Sequence, residues 1–224
     1  MQNENKDLTV GEKIILFVQK NKKGILISTG AFVFLLAALI IFLSLQDVFH
    51  NRAIAEADDL NRRYDDMRYQ ITEDFKSSEL DTLLSDLEKF GTRKSGYPGS
   101  KAWSIIAQIH SARKDWSKSK EAWLNAAQKG NNTYLGPISL FNAAAAAEEQ
   151  GNIEQAIELL QKCISHQFEF PAAARAQFSI GRLYEKQSNY TAAVEAYRFV
   201  LIDWQDIPIW QHLARSRITV IEMR

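Results

Sequence analysis

Four histidines (His50, His110, His166 and His212), one cysteine (Cys163) and acid pairs such as Glu148-Glu149 are the residues here whose types could do chemistry. Imidazoles and a thiolate could ligate a metal or form a nucleophile–base pair, and adjacent carboxylates could move protons. Their spacing supports none of this. The chain has no HExxH, CxxC, GxSxG or P-loop lysine motif. The histidines show no close ligand spacing. Cys163 sits at a small, packed position of an amphipathic segment, and Glu148-Glu149 read as a solvated helix face. No catalytic residue, metal site or cofactor is expected, and the chain is not read as an enzyme. A lone cysteine excludes an intrachain disulfide. Lys+Arg and Asp+Glu both total 27, so there is no basic excess of the kind a nucleic-acid partner requires.

The elements that organise the chain begin with Gly24 to Leu45, which carries no charge. At ~1.5 Å per residue it spans roughly 33 Å as a helix, enough for a hydrocarbon core of ~30 Å. A transmembrane helix over 24–46 is expected. Its apolar run exceeds that of a signal peptide, and no small-x-small cleavage site follows it. Lys13, Lys20, Lys22 and Lys23 precede it, whereas Arg52 is the first basic residue after it. The positive-inside rule puts the N-terminus in the cytoplasm and the rest across the membrane. The expected setting is the inner (cytoplasmic) membrane, with the far side the periplasm or its equivalent. Gly30, Ala37 and Ser44 recur every seven residues, a small-residue face suited to membrane helix contact and to an oligomer.

Residues 1–23 read as a polar, disordered lead-in followed by a short amphipathic helix at the membrane surface. Thr9 and Glu12 would form its capping box, and Ile14, Phe17 and Val18 its apolar face. Residues 47–100 read as a linker hairpin. A first helix runs from Asp47 to about Phe75 with an apolar stripe through Leu60, Tyr64, Met67 and Ile71. A second opens near Asp81 and is C-capped by Gly91. Thr92 to Ser100, rich in glycine and proline, reads as a loop.

Three segments then repeat: Ala102–Ala127, Ser139–Ile164 and Ala176–Leu201. Each is an alanine-rich helix, a polar turn and a second helix. Trp116, Ile153 and Tyr190 follow the three turns, each 37 residues after the last. Ala107, Ala144 and Gly181 would let paired helices approach closely, and Trp123, Leu160 and Tyr197 would fill the groove to the next pair. Pro208 to Arg224 reads as a first helix without a partner, closing the stack.

These segments resemble the tetratricopeptide repeat (TPR) family. The third carries Ile180-Gly181, Tyr184, Tyr190, Ala193 and Tyr197. The first offers Trp103, Ile106-Ala107, Trp116, Ser119, Trp123 and Ala126. The second offers Leu140, Ala143-Ala144, Gly151, Ala156, Leu160 and Cys163. The period exceeds the family's usual 34 residues, so longer linkers are implied. The resemblance implies an all-α fold, a TPR-like helical-hairpin solenoid over 101–224. It places His110 at a packed aromatic position. It also implies a groove lined by the first helix of each pair, holding a protein or peptide partner. Carried over by position, the groove residues are Ser104, Gln108, Phe141, Ala145, Glu148, Phe178, Arg182, Glu185, Gln211 and Arg215. The family's Lys/Asn set for a C-terminal carboxylate is not evident, so an apolar and polar segment is the expected ligand.

The whole layout is similar to a bacterial family of single-span, repeat-containing ancillary subunits of the Sec translocon. The similarity lies in the order of lysines, span and polar helix, and in the Tyr97–Trp103 entry to the repeats. It implies a scaffold that meets translocon subunits, exported proteins or chaperones. The competing reading is an envelope-assembly or cell-division scaffold acting through oligomerisation.

Overall fold

A computed structural model describes residues 9–69 and 77–224, and among these every regular element is a helix. The chain divides into two units, residues 1–52 and 53–224, taken separately below.

The first unit is the N-terminal part of α1 (Val10–Tyr69). The capping box forms as expected: the Thr9 N–H donates to Glu12 Oε2 at 2.8 Å, and the Glu12 N–H donates to Thr9 Oγ1 at 3.4 Å. The expected break between a surface helix and the span is absent, and the linker helix continues from the span as expected. No proline lies in the segment, and Gly24 meets nothing within 4 Å, so nothing local stops the helix. Every described residue up to Arg52 is exposed, including Phe34 at 72% and Leu26 at 76%. This stretch is long and apolar enough to cross a membrane.

The second unit begins within α1, where Ala53, Ala57, Leu60 and Tyr64 turn inward. Ile71 and Phe75, expected at the end of this helix, lie outside the described residues. Next comes α2 (Ser77–Arg93), which opens before Asp81 and buries Leu80, Leu83, Leu87 and Phe90. Arg63 of α1 pairs with Asp86 of α2 at 3.0 Å. Gly91 is not a C-cap. It lies inside α2, where a Cβ would meet the Trp103 indole at 2.8 Å, so its role is close helix approach. Nor is Thr92–Ser100 a loop: α3 (Gly96–Ala112) already begins at Gly96. Pro98 falls in its first turn, where a missing N–H costs no hydrogen bond.

Three helical pairs follow: α3 with α4 (Trp116–Lys129), α5 (Leu135–Glu149) with α6 (Ile153–Ile164), and α7 (Ala173–Lys186) with α8 (Tyr190–Asp203). The turn inside each pair has one construction. Lys114, Gly151 and Ser188 take left-handed φ of 57°, 77° and 58°. The next residue, Asp115, Asn152 or Asn189, donates its N–H back to the carbonyl of His110, Ala147 or Tyr184. Its side chain then accepts the N–H of Lys118, Gln155 or Ala192, at 3.2 Å in all three. These are Asx N-caps, worth ~1 kcal/mol each.

The seams are alanine: Ala102, Ala107, Ala126, Ala143, Ala147, Ala156 and Ala176 are fully excluded from solvent. Tyr197 packs in both directions, toward the next helix, where it shares a core with Ala214 and Ile221, and back inside its own pair. A Cβ on Gly181 would meet its ring at 2.5–2.8 Å, and the phenol donates to Glu185 Oε1 at 2.6 Å. A final helix, α9 (Pro208–Glu222), lies against α8 and buries Ala214 and Ile221. Its small core, with Ala193, Tyr197 and Val200, is separate from the main one.

Candidate functional site

The first helices α3, α5, α7 and α9 carry all ten residues expected to line the groove. The structure sorts them into three groups. Ser104 and Gln211 are buried. Ser104 donates its hydroxyl to the Ser100 carbonyl at 2.8 Å, and Gln211 Nε2 donates to the carbonyls of Leu201 and Trp204, tying α9 to the end of α8. Phe178 is half-buried between the rings of Tyr197 and Trp210, 5.0 and 5.5 Å away, and serves the C-terminal core.

Glu148, Arg182 and Glu185 form the second group, a chain of ion pairs between repeats. Arg182 grips Glu148 with both Nη atoms at 2.6 and 2.5 Å, and Lys186 stands 3.6 Å away. One repeat later Arg217 of α9 grips Glu185 through Nε and Nη2, and Tyr197 donates to the same carboxylate. The two glutamates sit 37 residues apart, so the repeat places the same acceptor on consecutive first helices. Their arginine partners hold both carboxyls below the usual carboxylate range. Planar bidentate pairs of this kind set the relative register of neighbouring helices.

Gln108, Phe141, Ala145 and Arg215 remain open or half-open to solvent. Phe141 stacks on Phe170 at 5.3 Å, and the Arg175 guanidinium lies 5.2 Å from its ring. Arg215 donates to Gln211 Oε1 at 3.1 Å. The face over α5, α7 and α9 is therefore an aromatic and guanidinium surface whose acids are already neutralised. That suits recognition of a polypeptide and offers no reacting group.

Sequence reasoning missed Phe170, Arg175 and Arg217. The long period signalled extra linker residues, and Phe170 is one of them. The recurrence of Glu148 at Glu185 called for a second arginine. Arg217 falls 35 residues after Arg182, out of step with the 37-residue repeat.

The candidates for chemistry are quiet. Cys163 is fully excluded from solvent, and burial pushes its thiol up to about 12, so it is no thiolate at neutral pH. Burial likewise lowers the pKa of His110, favouring the neutral imidazole. Among the described residues no cluster of three metal-ligating side chains occurs.

Comparison with known proteins agrees with this picture. Residues 139–166 and 174–200 match tetratricopeptide repeat family models. The chain is 33% identical over 147 residues to a TPR repeat-containing protein of Treponema pallidum (strain Nichols). The match covers 64% of this chain and 60% of that protein, so the chain spans less than two thirds of the relative's length. Two crystal structures of nearly identical TPR-like repeats of a putative kinesin light chain from Podosopora anserina, one of them a point variant, share the fold. Each has a TM-score of 0.54 at 14% identity, over 75% of this chain and 86–87% of theirs. The chain thus carries TPR repeats on an all-helical scaffold. Such repeats mediate protein–protein interaction and are generally non-enzymatic, and no catalytic family is indicated.

Proposed function

We propose that this protein is a membrane-anchored interaction scaffold. Gly24 to Leu45 spans the bilayer once, the N-terminus lies in the cytoplasm, and the repeats present their first-helix face across the membrane. The observation that carries the reading is the combination of an apolar helix exposed on every side with a repeat unit that buries its own core. Left in water, the former would expose a run of large apolar side chains that a soluble protein does not tolerate. The lysine excess before the span sets the orientation.

The finer role is that of an ancillary subunit at the Sec translocon, where the face over α5, α7 and α9 receives exported chains or their chaperones. Its basic and aromatic character suits an extended polypeptide with apolar and polar side chains. The second reading, an oligomeric envelope-assembly or division scaffold, draws on Gly30, Ala37 and Ser44. All three are exposed, and a side chain added at Gly30 would meet nothing within 4 Å.

The test is affinity purification of the full chain in mild detergent, with mass spectrometry of what is retained. It is run beside a variant with Gly30, Ala37 and Ser44 all changed to leucine. Translocon subunits present with the first and lost with the second would support the ancillary role and put the contact in the bilayer. Division or cell-wall proteins would favour the second reading.

A further inference from the structure

A groove of about 360 Å³ runs between the second helices α6 and α8, floored by α7. Ile164, Ile180, Tyr184, Ala196 and Phe199 give it an apolar lining, and Glu195 and Asp203 are its only charged residues. The same register one repeat earlier explains why it is open here. There Leu124 and Leu159 fill the positions of Gln161 and Ala196. Lys120 stitches the junction shut by donating to Gln150 at 3.0 Å and Gln155 at 2.6 Å. Glu158, the counterpart of Glu195, pairs with Lys162 at 2.6 Å.

In the later copy the counterpart of Lys162 is Phe199, which leaves its side chain 46% exposed. Glu195 thereby loses the lysine four residues on, and Arg198, three residues on, pairs instead with Glu222 at 3.4 Å. Among the described residues neither Glu195 nor Asp203 has an ion pair. The junction has exchanged an ion-paired lysine for an exposed ring beside two carboxylates without ion pairs.

We propose that this α6–α7–α8 groove docks a cationic amphipathic helix of a partner protein. The partner's apolar stripe packs on Phe199 and Ile164, and its Lys or Arg side chains supply the cations that Glu195 and Asp203 lack. An anionic lipid surface is excluded as occupant by the sign of the charge. The groove belongs to the second helices and works independently of the first-helix face.

The test titrates the full chain in phosphatidylcholine nanodiscs with a fluorescein-labelled, amphipathic peptide of about 14 leucine and lysine residues, roughly four helical turns. Binding to empty discs is subtracted, and the same peptide with glutamate for lysine is the control. The expected result is binding of the lysine peptide alone, weakened at least tenfold between about 50 and 500 mM salt. E195Q/D203N and F199K, both at exposed positions, should each weaken it at least tenfold with an unchanged thermal melt. R182A should leave it unaltered, which separates failure here from failure of the first-helix reading. Equal binding of both peptides, no binding above empty discs, or salt-insensitive binding by the unaltered chain would overturn the proposal. Displacement of the probe by an unlabelled peptide of residues 9–23, stronger than by the probe's own unlabelled form, would point to a second copy and overturn it as well.

Discussion

Residues 24–45 and the repeat pairs are built from much the same alphabet of alanine, leucine, isoleucine and phenylalanine, yet their surroundings are opposite. In the first region every side chain is exposed. In the second, alanines at 37-residue spacing are sealed between helices and the large side chains fold inward. The difference lies in what interrupts the apolar residues. Between Gly24 and Leu45 no charge defines a face, so no side of the helix is set aside for protein. In the repeats, polar residues return every turn and leave a single stripe, which only a neighbouring helix can cover. The proposed anchor takes its apolar environment from lipid; the repeats make their own.

The largest test of that contrast is removal of residues 1–46. The remaining chain should pass from the membrane fraction to the soluble fraction and keep a cooperative thermal transition within a few degrees of the full-length value. Loss of folding would show that the repeats depend on the anchor. The next compares one substitution in two places. Gly181→Val drives methyl groups into the Tyr197 ring and should cost about 3 kcal/mol or more in urea unfolding. Gly30→Val meets nothing within 4 Å and should leave the repeat unit's unfolding midpoint where it was.

Smaller effects sharpen the periodic turn. Asn152→Ala removes a side-chain cap and should cost about 1 kcal/mol by chemical denaturation, with Asn189→Ala close to it. At the left-handed position one residue earlier the sign should depend on the copy. Gly151→Ala should destabilise, and Ser188→Gly should stabilise, each by about 0.5–1 kcal/mol.

The smallest effect is electrostatic. Glu148 and Glu185 have carboxyl pKa values lowered in the fold by Arg182 and Arg217. Their contribution is therefore complete above the unfolded value of about 4.5 and is lost as pH falls through the lower folded value. Melting temperature should drop below about pH 4.5, and less steeply in Glu148→Gln. The difference will be modest because Arg182 is about half exposed.

Much of this architecture was legible in the sequence. The 37-residue recurrence of Trp116, Ile153 and Tyr190 marked the start of each second helix, and the polar residues before them proved to be the caps. The long apolar stretch was legible because an unbroken uncharged run has few uses. Other features were not. Pro98 suits the first turn of a helix as well as a loop, so the start of α3 could not be read. Gly91 suits a close approach as well as a cap, and only Trp103 decides between them. Nothing in the lysine-rich stretch before Gly24 distinguishes a separate surface helix from the first turns of one long helix. On the groove face, position identified Arg182 and Glu148 as lining residues but not as partners, because pairing depends on rotamers. Ser104 and Gln211 look like surface polar residues in sequence; Ser104 bonds back to the carbonyl four residues earlier in its own helix, and open carbonyls at the end of α8 draw Gln211 inward.

The measurement that tests the central claim most directly is a pair of reporter fusions after Arg224 of the full chain in a bacterial host. One is an alkaline phosphatase, active only outside the cytoplasm, and the other a green fluorescent protein, fluorescent only inside it. An anchored scaffold with its repeats across the membrane predicts an active phosphatase and a dark fluorescent fusion. A bright fluorescent fusion with an inactive phosphatase would put the repeat face in the cytoplasm and contradict the account.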